Sequence, residues 1–399
     1  MKRLARLSAF GACAIVLVVL APAPEAAWAD SCPNPGRWAV PSTRGPQLRD
    51  TVAVFADLAK RSVVMLGESH DNAEHHLWQL HTIAALHAAR PDLVVGFEAF
   101  PRRVQKTLDA WVEGELSEEE FLRRTDWSRV WGIEAQLYMP LFHFARMHRV
   151  PMIALNVERR LVANVRDRGW AGIPPSEREG VSDPAPAPPG YRETLYQSYV
   201  EHLSAEAPGR SRARPDYSDP DFLRFVESQQ VWDRAMAQAI ATRLQTSAPP
   251  QVVAVIGSGH LRDGHGVPHQ LRDLGIANAA VLLPWDESED CGSLTPGLAD
   301  AVFAISAKAA QAAERPRLGV MLDDSGEGVV IREVVKNSIA EQAGVRVGDV
   351  VLIVAGLPVR GAADVIDAVR RQAPGTWLPM TVMRGSESLD LVARFPAKR

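Results

Sequence analysis

Cysteine, long apolar runs and surplus charge are all scarce in this sequence of 399 residues. Three cysteines cannot staple a small disulfide scaffold. No apolar run reaches the roughly 20 residues that a membrane-spanning helix needs. The net charge of -4 gives no electrostatic reason to expect a nucleic-acid partner. Familiar catalytic signatures are missing as well. There is no H-E-x-x-H of an ordinary zincin, and no C-x-x-C-H for covalent haem attachment. The glycines after Ile256 (Gly257, Gly259, Gly264, Gly266) do not form G-x-G-x-x-G, and neither Ser69 nor Ser258 sits in G-x-S-x-G. Histidine is confined too: all eleven fall between His70 and His269. That segregation, in a chain long enough for two or three domains of about 150 residues, implies at least two different modules. A composition of 46% hydrophobic and 23% charged residues excludes a wholly disordered chain.

Residues 1–29 read as a secretory signal. Lys2, Arg3 and Arg6 form a basic start, Ala14–Leu20 an apolar middle too short to span, and Ala27-Trp28-Ala29 an A-x-A cleavage site. An exported, periplasmic protein is expected, in a compartment that permits disulfides. Cys13 precedes most of the apolar run and Cys32 follows Ala29-Asp30-Ser31, which speaks against lipid anchoring. Once the leader is removed, Cys32 and Cys291 either pair, tying the first residues of the module to its last, or stay as two free thiols.

Four short, continuous apolar segments read as buried parallel strands: Ser62–Leu66, Leu93–Phe97, Met152–Leu155 and Val252–Ile256. Ala280–Leu283 is a fifth. Helical patterns lie between them. One runs from Asn72 to about Ala89, with a capping-box-like start at Asp71 and Glu74. Another starts at Pro101. This alternation predicts an α/β layered domain, a mainly parallel sheet flanked by helices. Segments 103–135 and 190–245 are expected to form a helical cap. The six prolines of Pro174–Pro189 predict a loop or disordered insertion. Ala-rich Leu298–Glu314 reads as a helical connector. Beyond Leu318, short alternating strands (Gly328–Val334, Val350–Val354, Leu378–Arg384) with turn glycines indicate a separate, mostly-β module.

The residues just past each strand carry the chemistry. The first strand runs into Gly67-Glu68-Ser69-His70, the second into Glu98, the third into Asn156, and the fourth into Gly257-Ser258-Gly259-His260. Open α/β sheets bind ligands at the carboxyl ends of their strands. Glu68, His70, Glu98, Asn156 and His260 are therefore expected at one edge. Imidazole and carboxylate suit a divalent metal or haem iron and equally suit general acid/base work. His76 and Gln79 lie three apart on the first helix, able to face the same cluster. His265 and His269 follow in a glycine-rich loop at its mouth. His81, His87, His143, His148 and His202 have no supporting context. Among the five tyrosines, each a possible phenolate ligand of ferric iron, Tyr138 opens a helix before Met139-Pro140. Tyr191, Tyr196, Tyr199 and Tyr217 flank or follow the proline segment.

Five blocks in order, GESHDNAEHHLWQLH, GFEAFPRRVQKTLDAW, LYMPLFHFARMHRVPMIALNVERRLVANV, SQQVWDRAMAQAI and VIGSGHLRDGHGVP, resemble the ChaN-like haem-binding uptake family of the Tiki/TraB/erythromycin-esterase-like group, over about residues 45–285. The resemblance implies a periplasmic role in haem or iron acquisition. The cofactor would be haem or a divalent metal ion, held by residues drawn from Glu68, His70, His76, Glu98, Tyr138, Asn156 and His260. It also carries an enzymatic alternative, because the wider group includes metal-dependent hydrolases and proteases with paired G-x-x-H motifs. Their metal would fall to His70, Glu98 and His260, with Glu68 beside them as a catalytic group. Family members that pair face to face around haem through tyrosine imply a homodimer.

The tail resembles a bacterial PDZ domain through Arg317-Leu318-Gly319-Val320 and Asn337-Ser338-Ile339-Ala340, Ala343-Gly344-Val345 and Gly348-Asp349-Val350. That implies capture of a partner's C-terminal peptide, with Leu318, Gly319 and Val320 holding the carboxylate. A scaffold acting mainly through this module is a third reading. The expected organisation is a signal peptide at 1–29, a ChaN-like α/β domain at 30–295, a helical linker at 296–315 and a PDZ domain at 316–399.

Overall fold

The computed structural model describes residues 32–206, 215–306, 317–326 and 328–397. The expected signal peptide lies outside them. The first module opens with strands β1 (Trp38–Val40) and β2 (Gln47–Arg49), then helix α1 (Thr51–Leu58). Strand β3 (Val63–Glu68), helix α2 (Ala73–Ala89) and strand β4 (Val94–Pro101) follow. Four helices come next: α3 (Gln105–Val112), α4 (Glu118–Thr125), α5 (Trp127–Val130) and α6 (Ala135–His148). Strand β5 (Met152–Asn156) leads to α7 (Arg159–Arg168), α8 (Pro189–Glu206) and α9 (Pro220–Leu244). Strand β6 (Val252–Gly257), α10 (Val267–Asp273), β7 (Ala279–Asp286) and β8 (Ala301–Ile305) complete the module.

These strands form one sheet in the order β2-β1-β8-β7-β3-β6-β4-β5. Pairing is parallel from β8 through β5, and antiparallel only where β1 joins β8 and β2. Every residue of β3, β4 and β6 is buried, which explains their unbroken Val/Ile/Leu character: helices cover both faces. On one face α2, α3 and α6 join an aromatic core in which Phe100, Trp111, Phe121, Trp127 and Phe142 make ring contacts at 4.6–5.9 Å. On the other face Met236, Ala237 and Ile240 of α9 pack with Leu271 of α10 against the strands. The helices of 103–135 thus build a core on the sheet.

Local details depart from the sequence reading in two places, and in a third the structure takes one of its alternatives. The cap of α2 is Asn72, whose side chain accepts the Glu74 N–H at 3.0 Å; Asp71 is not the capping residue. The proline segment holds a single 3-10 turn, Pro175–Glu177, and is an ordered loop. Gln230 and Gln270 both donate to the Ala185 carbonyl, at 2.8 and 2.9 Å, and Gln270 accepts the Ala185 N–H at 2.9 Å. Those bonds supply the loop's buried backbone with partners that no strand provides. The expected helical linker at 296–315 is wrong over Ala301–Ile305. Largely buried, this segment adds β8 to the parallel sheet beside β7. Residues 307–316 lie outside the described residues.

Cys32 is disulfide-bonded to Cys291, linking the chain ahead of β1 to the turn after β7 across 259 residues of sequence.

The second module is a sheet of antiparallel strands: β9 (Val320–Gly326), β10 (Gly328–Val334), β11 (Val350–Val354), β12 (Leu357–Pro358), β13 (Trp377–Arg384) and β14 (Glu387–Arg394). Helices α11 (Ile339–Gln342) and α12 (Ala362–Arg370) accompany it. Leu318, Ile331, Val351, Leu378 and Val382 lie in its core. The order β14-β13-β11-β10-β9 leaves β9 at the end of the sheet.

Candidate functional site

Strand register sets the site. In the β3–β6 pair Glu68 lies opposite Gly257, while β4 flanks β6 on its other side with Phe97 opposite Val255. Glu68 and Glu98 therefore approach the end of β6 from two sides. Glu98 Oε2 accepts the Gly257 N–H at 2.7 Å. Its Oε1 is buried with no hydrogen-bond partner, lying 3.7 Å from His260 Nε2. An orphaned carboxylate oxygen is costly to bury, which marks it as a group held ready for a ligand or a proton.

Two histidines flank this carboxylate, each hung from an acid at Nδ1. His70 Nδ1 lies 2.8 Å from Glu68 Oε1. The Tyr138 hydroxyl donates to the same Glu68 oxygen, and Gln79 donates to the other at 2.9 Å. His260 Nδ1 lies 2.6 Å from Asp233 Oδ1, and the Tyr191 hydroxyl donates to Asp233 Oδ2 at 2.7 Å. The result is two tyrosine–acid–histidine relays, Tyr138–Glu68–His70 and Tyr191–Asp233–His260. A carboxylate at Nδ1 fixes ring orientation and leaves Nε2 for chemistry. Gly257 leaves room for the His70 ring: a Cβ there would stand 2.8 Å from His70 Cε1, so the ring would have to shift.

The charges follow from these contacts. Burial raises the Glu68 carboxyl, but the His70 hydrogen bond, the neighbouring His76 and the Tyr138 hydroxyl outweigh it, leaving its pKa below the ordinary value. Burial lowers His70, yet its Glu68 bond and the Glu98 charge leave it raised. For His260, burial is again opposed and overcome by Asp233 and Glu98, which lift it to about 9. Tyr138 is raised by burial and by Glu68, so it stays a neutral donor.

Several expected ligands have other duties. Tyr138 is 1% exposed and spends its hydroxyl on Glu68, so it offers no phenolate to a cofactor. Asn156 donates to the Glu98 carbonyl at 3.0 Å and braces β4. His76 is buried, with Nε2 3.0 Å from the His70 carbonyl and Nδ1 3.1 Å from Gln79 Oε1; it supports the His70 turn. His75 accepts the Ser69 N–H at 2.7 Å, and burial drives its pKa to about 4. His269 reaches the Pro186 carbonyl, and His265 packs on Tyr191. The side chain of His202 is not among those described.

Nor do His70, Glu98 and His260 converge as a metal triad. Among the described residues no three His, Cys, Asp or Glu side chains come together in a way that could hold a metal ion. Their oxygens and nitrogens are turned to each other, to Glu68, to Asp233 and to the Gly257 amide. Haem fits the edge no better. Only the side chains of His70 (37% exposed) and His260 (13%) reach towards solvent; the rest of the cluster is polar, buried and bonded to itself. Sequence reasoning missed Asp233, and it named Tyr191 only among the possible iron ligands, not as the donor to that acid. A signal existed for the first: Asp233 places a carboxylate on the stripe of Val226, Ala237 and Ile240 along α9.

In the second module the Leu318 carbonyl accepts the Ala340 N–H and the Gly319 carbonyl accepts the Val335 N–H, each at 2.8 Å. Gly319 has φ of 81°, and a Cβ there would meet the Ser338 Cβ at 2.3 Å, so glycine is required in this loop. Leu318 is a core residue, and Val320 begins the end strand β9.

Comparison with known proteins agrees with this architecture. The model of a family described as haem-binding uptake, Tiki superfamily, ChaN matches residues 54–271, more than half of the chain. A PDZ domain model matches residues 316–393. A solved structure described as cofacial heme binding to ChaN of Campylobacter jejuni is 18% identical, with a TM-score of 0.51, over 67% of this chain and 95% of that one. Serine endoprotease DegS of Salmonella typhimurium is 34% identical over 77 residues, and DegS of Escherichia coli K12 is 32% identical over 77. The chain spans about a fifth of the length of these curated relatives (22% in each). From the strand-end cluster and the match along 54–271 together, the chain belongs to the ChaN-like haem-binding uptake family of the Tiki superfamily, with a PDZ domain following.

Proposed function

We propose that this chain is an exported haem- or iron-binding protein of iron acquisition, whose PDZ domain recruits a partner by its C-terminal peptide. The observation that carries this reading is membership of the haem-binding uptake family along residues 54–271. Export is supported by the leader-like residues 1–29 and by the Cys32–Cys291 bond, which belongs in an oxidising compartment. Peptide capture is supported by β9, which stands at the end of the sheet near α12, where an added strand would pair. Titration of the mature protein with haemin, followed by its Soret band, tests the ligand. Saturation near equimolar haemin is expected, and an unchanged Soret band refutes the reading.

A hydrolytic second reading is favoured by one observation: the orphaned Glu98 Oε1 between two histidines that carry carboxylates at Nδ1. A histidine raised to about 9 beside a second histidine and a carboxylate is suited to paired acid and base roles. His260 would be the acid, His70 or Glu98 the base. Turnover of an ester or peptide that disappears in His260→Ala, with haemin binding intact, would establish it.

A further inference from the structure

Side chains alternate along an extended peptide. A peptide laid against β9 therefore turns its last, third-from-last and fifth-from-last residues to one wall. The strand and the helix it lies between decide the character of that wall. β9 is the last strand of its sheet, and among the described residues no strand pairs with its outer edge. At the start of α12 the Ala362 N–H donates to Asp324 Oδ2 at 3.2 Å, and Val369 near its end shares a core with Leu318. The helix thus runs back along β9, from the far end of the strand to the loop of Leu318 and Gly319. The groove between them has a closed end at that loop and an open end at Asp324.

On the strand side Val320 and Leu322 pack towards the core. Met321, between them, is 58% exposed on the opposite face, where Arg332 donates to Asp323 at 2.7 Å. On the helix side Ala362, Ile366 and Val369 fall on one stripe, spaced i, i+4 and i+7. Ile366 is 41% exposed, an apolar side chain laid open beside the strand. None of these side chains, Leu318 included, can donate or accept a hydrogen bond. A peptide hydroxyl brought among them would leave water and find no partner. An apolar side chain would gain by the same transfer, and the small Ala362 leaves width opposite Leu322 for a large one. The two ends of the groove differ in charge. Arg317 precedes the loop, and Lys336 follows Val335, whose N–H donates to the Gly319 carbonyl; both cations are exposed. At the other end Asp324 is exposed, and among the described residues no lysine or arginine pairs with it.

Resting on the peptide-capture reading above, we propose that this groove selects partners whose chain ends in two apolar residues separated by one, with a basic residue two positions further in. The final aliphatic side chain sits among Leu318, Val320 and Val369, and a large apolar third-from-last residue sits between Leu322, Ala362 and Ile366. Asp324 faces the basic fifth-from-last residue, so that charge fixes direction and register while apolar burial supplies affinity. Serine or threonine third from last is rejected. Fluorescence anisotropy of the full mature chain with the labelled peptide Gly-Ser-Lys-Ala-Phe-Ala-Val tests this, beside three altered peptides: threonine for phenylalanine, glutamate for lysine, and an amidated carboxyl end. The threonine peptide is expected to bind about tenfold more weakly. The glutamate peptide is expected to bind several-fold more weakly, and Asp324→Asn, which keeps an acceptor for the Ala362 N–H, should erase that difference. Ile366→Ser, at an exposed position, should bring the phenylalanine peptide down towards the threonine one, with circular dichroism checking that both variants fold. Equal binding of the phenylalanine and threonine peptides overturns the apolar selection while capture stands. Equal binding of the lysine and glutamate peptides to the unaltered chain overturns the role of Asp324. An amidated peptide that binds as well as the free acid, or a panel in which nothing binds, overturns carboxyl-terminal capture itself.

Discussion

His70 and His260 each hang from a carboxylate capped by a tyrosine hydroxyl, yet the two assemblies are built over very different distances along the chain. Glu68 and His70 stand two residues apart in one turn, with Tyr138 arriving from α6. Asp233 reaches His260 across 27 residues and Tyr191 across 42. The local relay opens towards water, its ring edge-on to Trp131 at 4.7 Å. The long-range relay is enclosed, with Asp233 fully buried in α9. Enclosure has a chemical result. Both acids are buried, but a pair whose ring is also enclosed holds its proton more firmly than one whose ring is partly solvated. The same parts thus yield two histidines of different basicity facing one carboxylate.

The contrast is most open to attack at Asp233. Asp233→Ala strands the Tyr191 hydroxyl and the His260 ring in a dry interior and is expected to cost about 3–5 kcal/mol in urea unfolding. Glu68→Gln keeps the shape and an acceptor for Tyr138 and is expected to cost about 1–3 kcal/mol. Equal losses would erase the asymmetry.

The next effect is a pH dependence. His260 is raised from 6.5 to about 9 in the folded chain. Its stabilising contribution is therefore complete below pH 6.5 and is lost as pH rises through about 9. Imidazole resonances followed by NMR should show His260 still protonated at pH 8, and Asp233→Asn should bring its titration below that of His70. Smaller still, Tyr191→Phe and Tyr138→Phe each remove one donor from a buried carboxylate, for about 1–2 kcal/mol apiece. The least costly change is Gly257→Ala. Its backbone tolerates alanine, and the partly exposed His70 ring can swing aside, so a loss under about 1 kcal/mol is expected. The His70 titration should nevertheless fall towards its ordinary value as the ring leaves Glu98.

The same contrast explains what could be read in the sequence. Parallel strands buried on both faces must be continuous apolar runs, so β3 to β6 stood out, and the residues ending them marked the site edge. G-x-x-H is a local motif and shows itself twice. Asp233 and Tyr191 are joined to it only by packing, and a lone acid within a helical stripe reads as surface until the facing element is known. Tyr138 looked like an iron ligand because the sequence does not say which phenol is dry. β8 was hidden for a related reason: its alanines favour helix, and pairing with β7 overrides that preference.

The Cys32–Cys291 bond places a condition on assembly. A chain delivered amino end first presents Cys32 early, but its partner arrives 259 residues later, after every helix and most strands of the first domain have emerged. Correct oxidation therefore waits until β7 has emerged, and the bond closes like a latch on a sheet that lacks only β8. Its presence in protein recovered from cells would serve as a date stamp, separating molecules that completed the first domain from those that stalled.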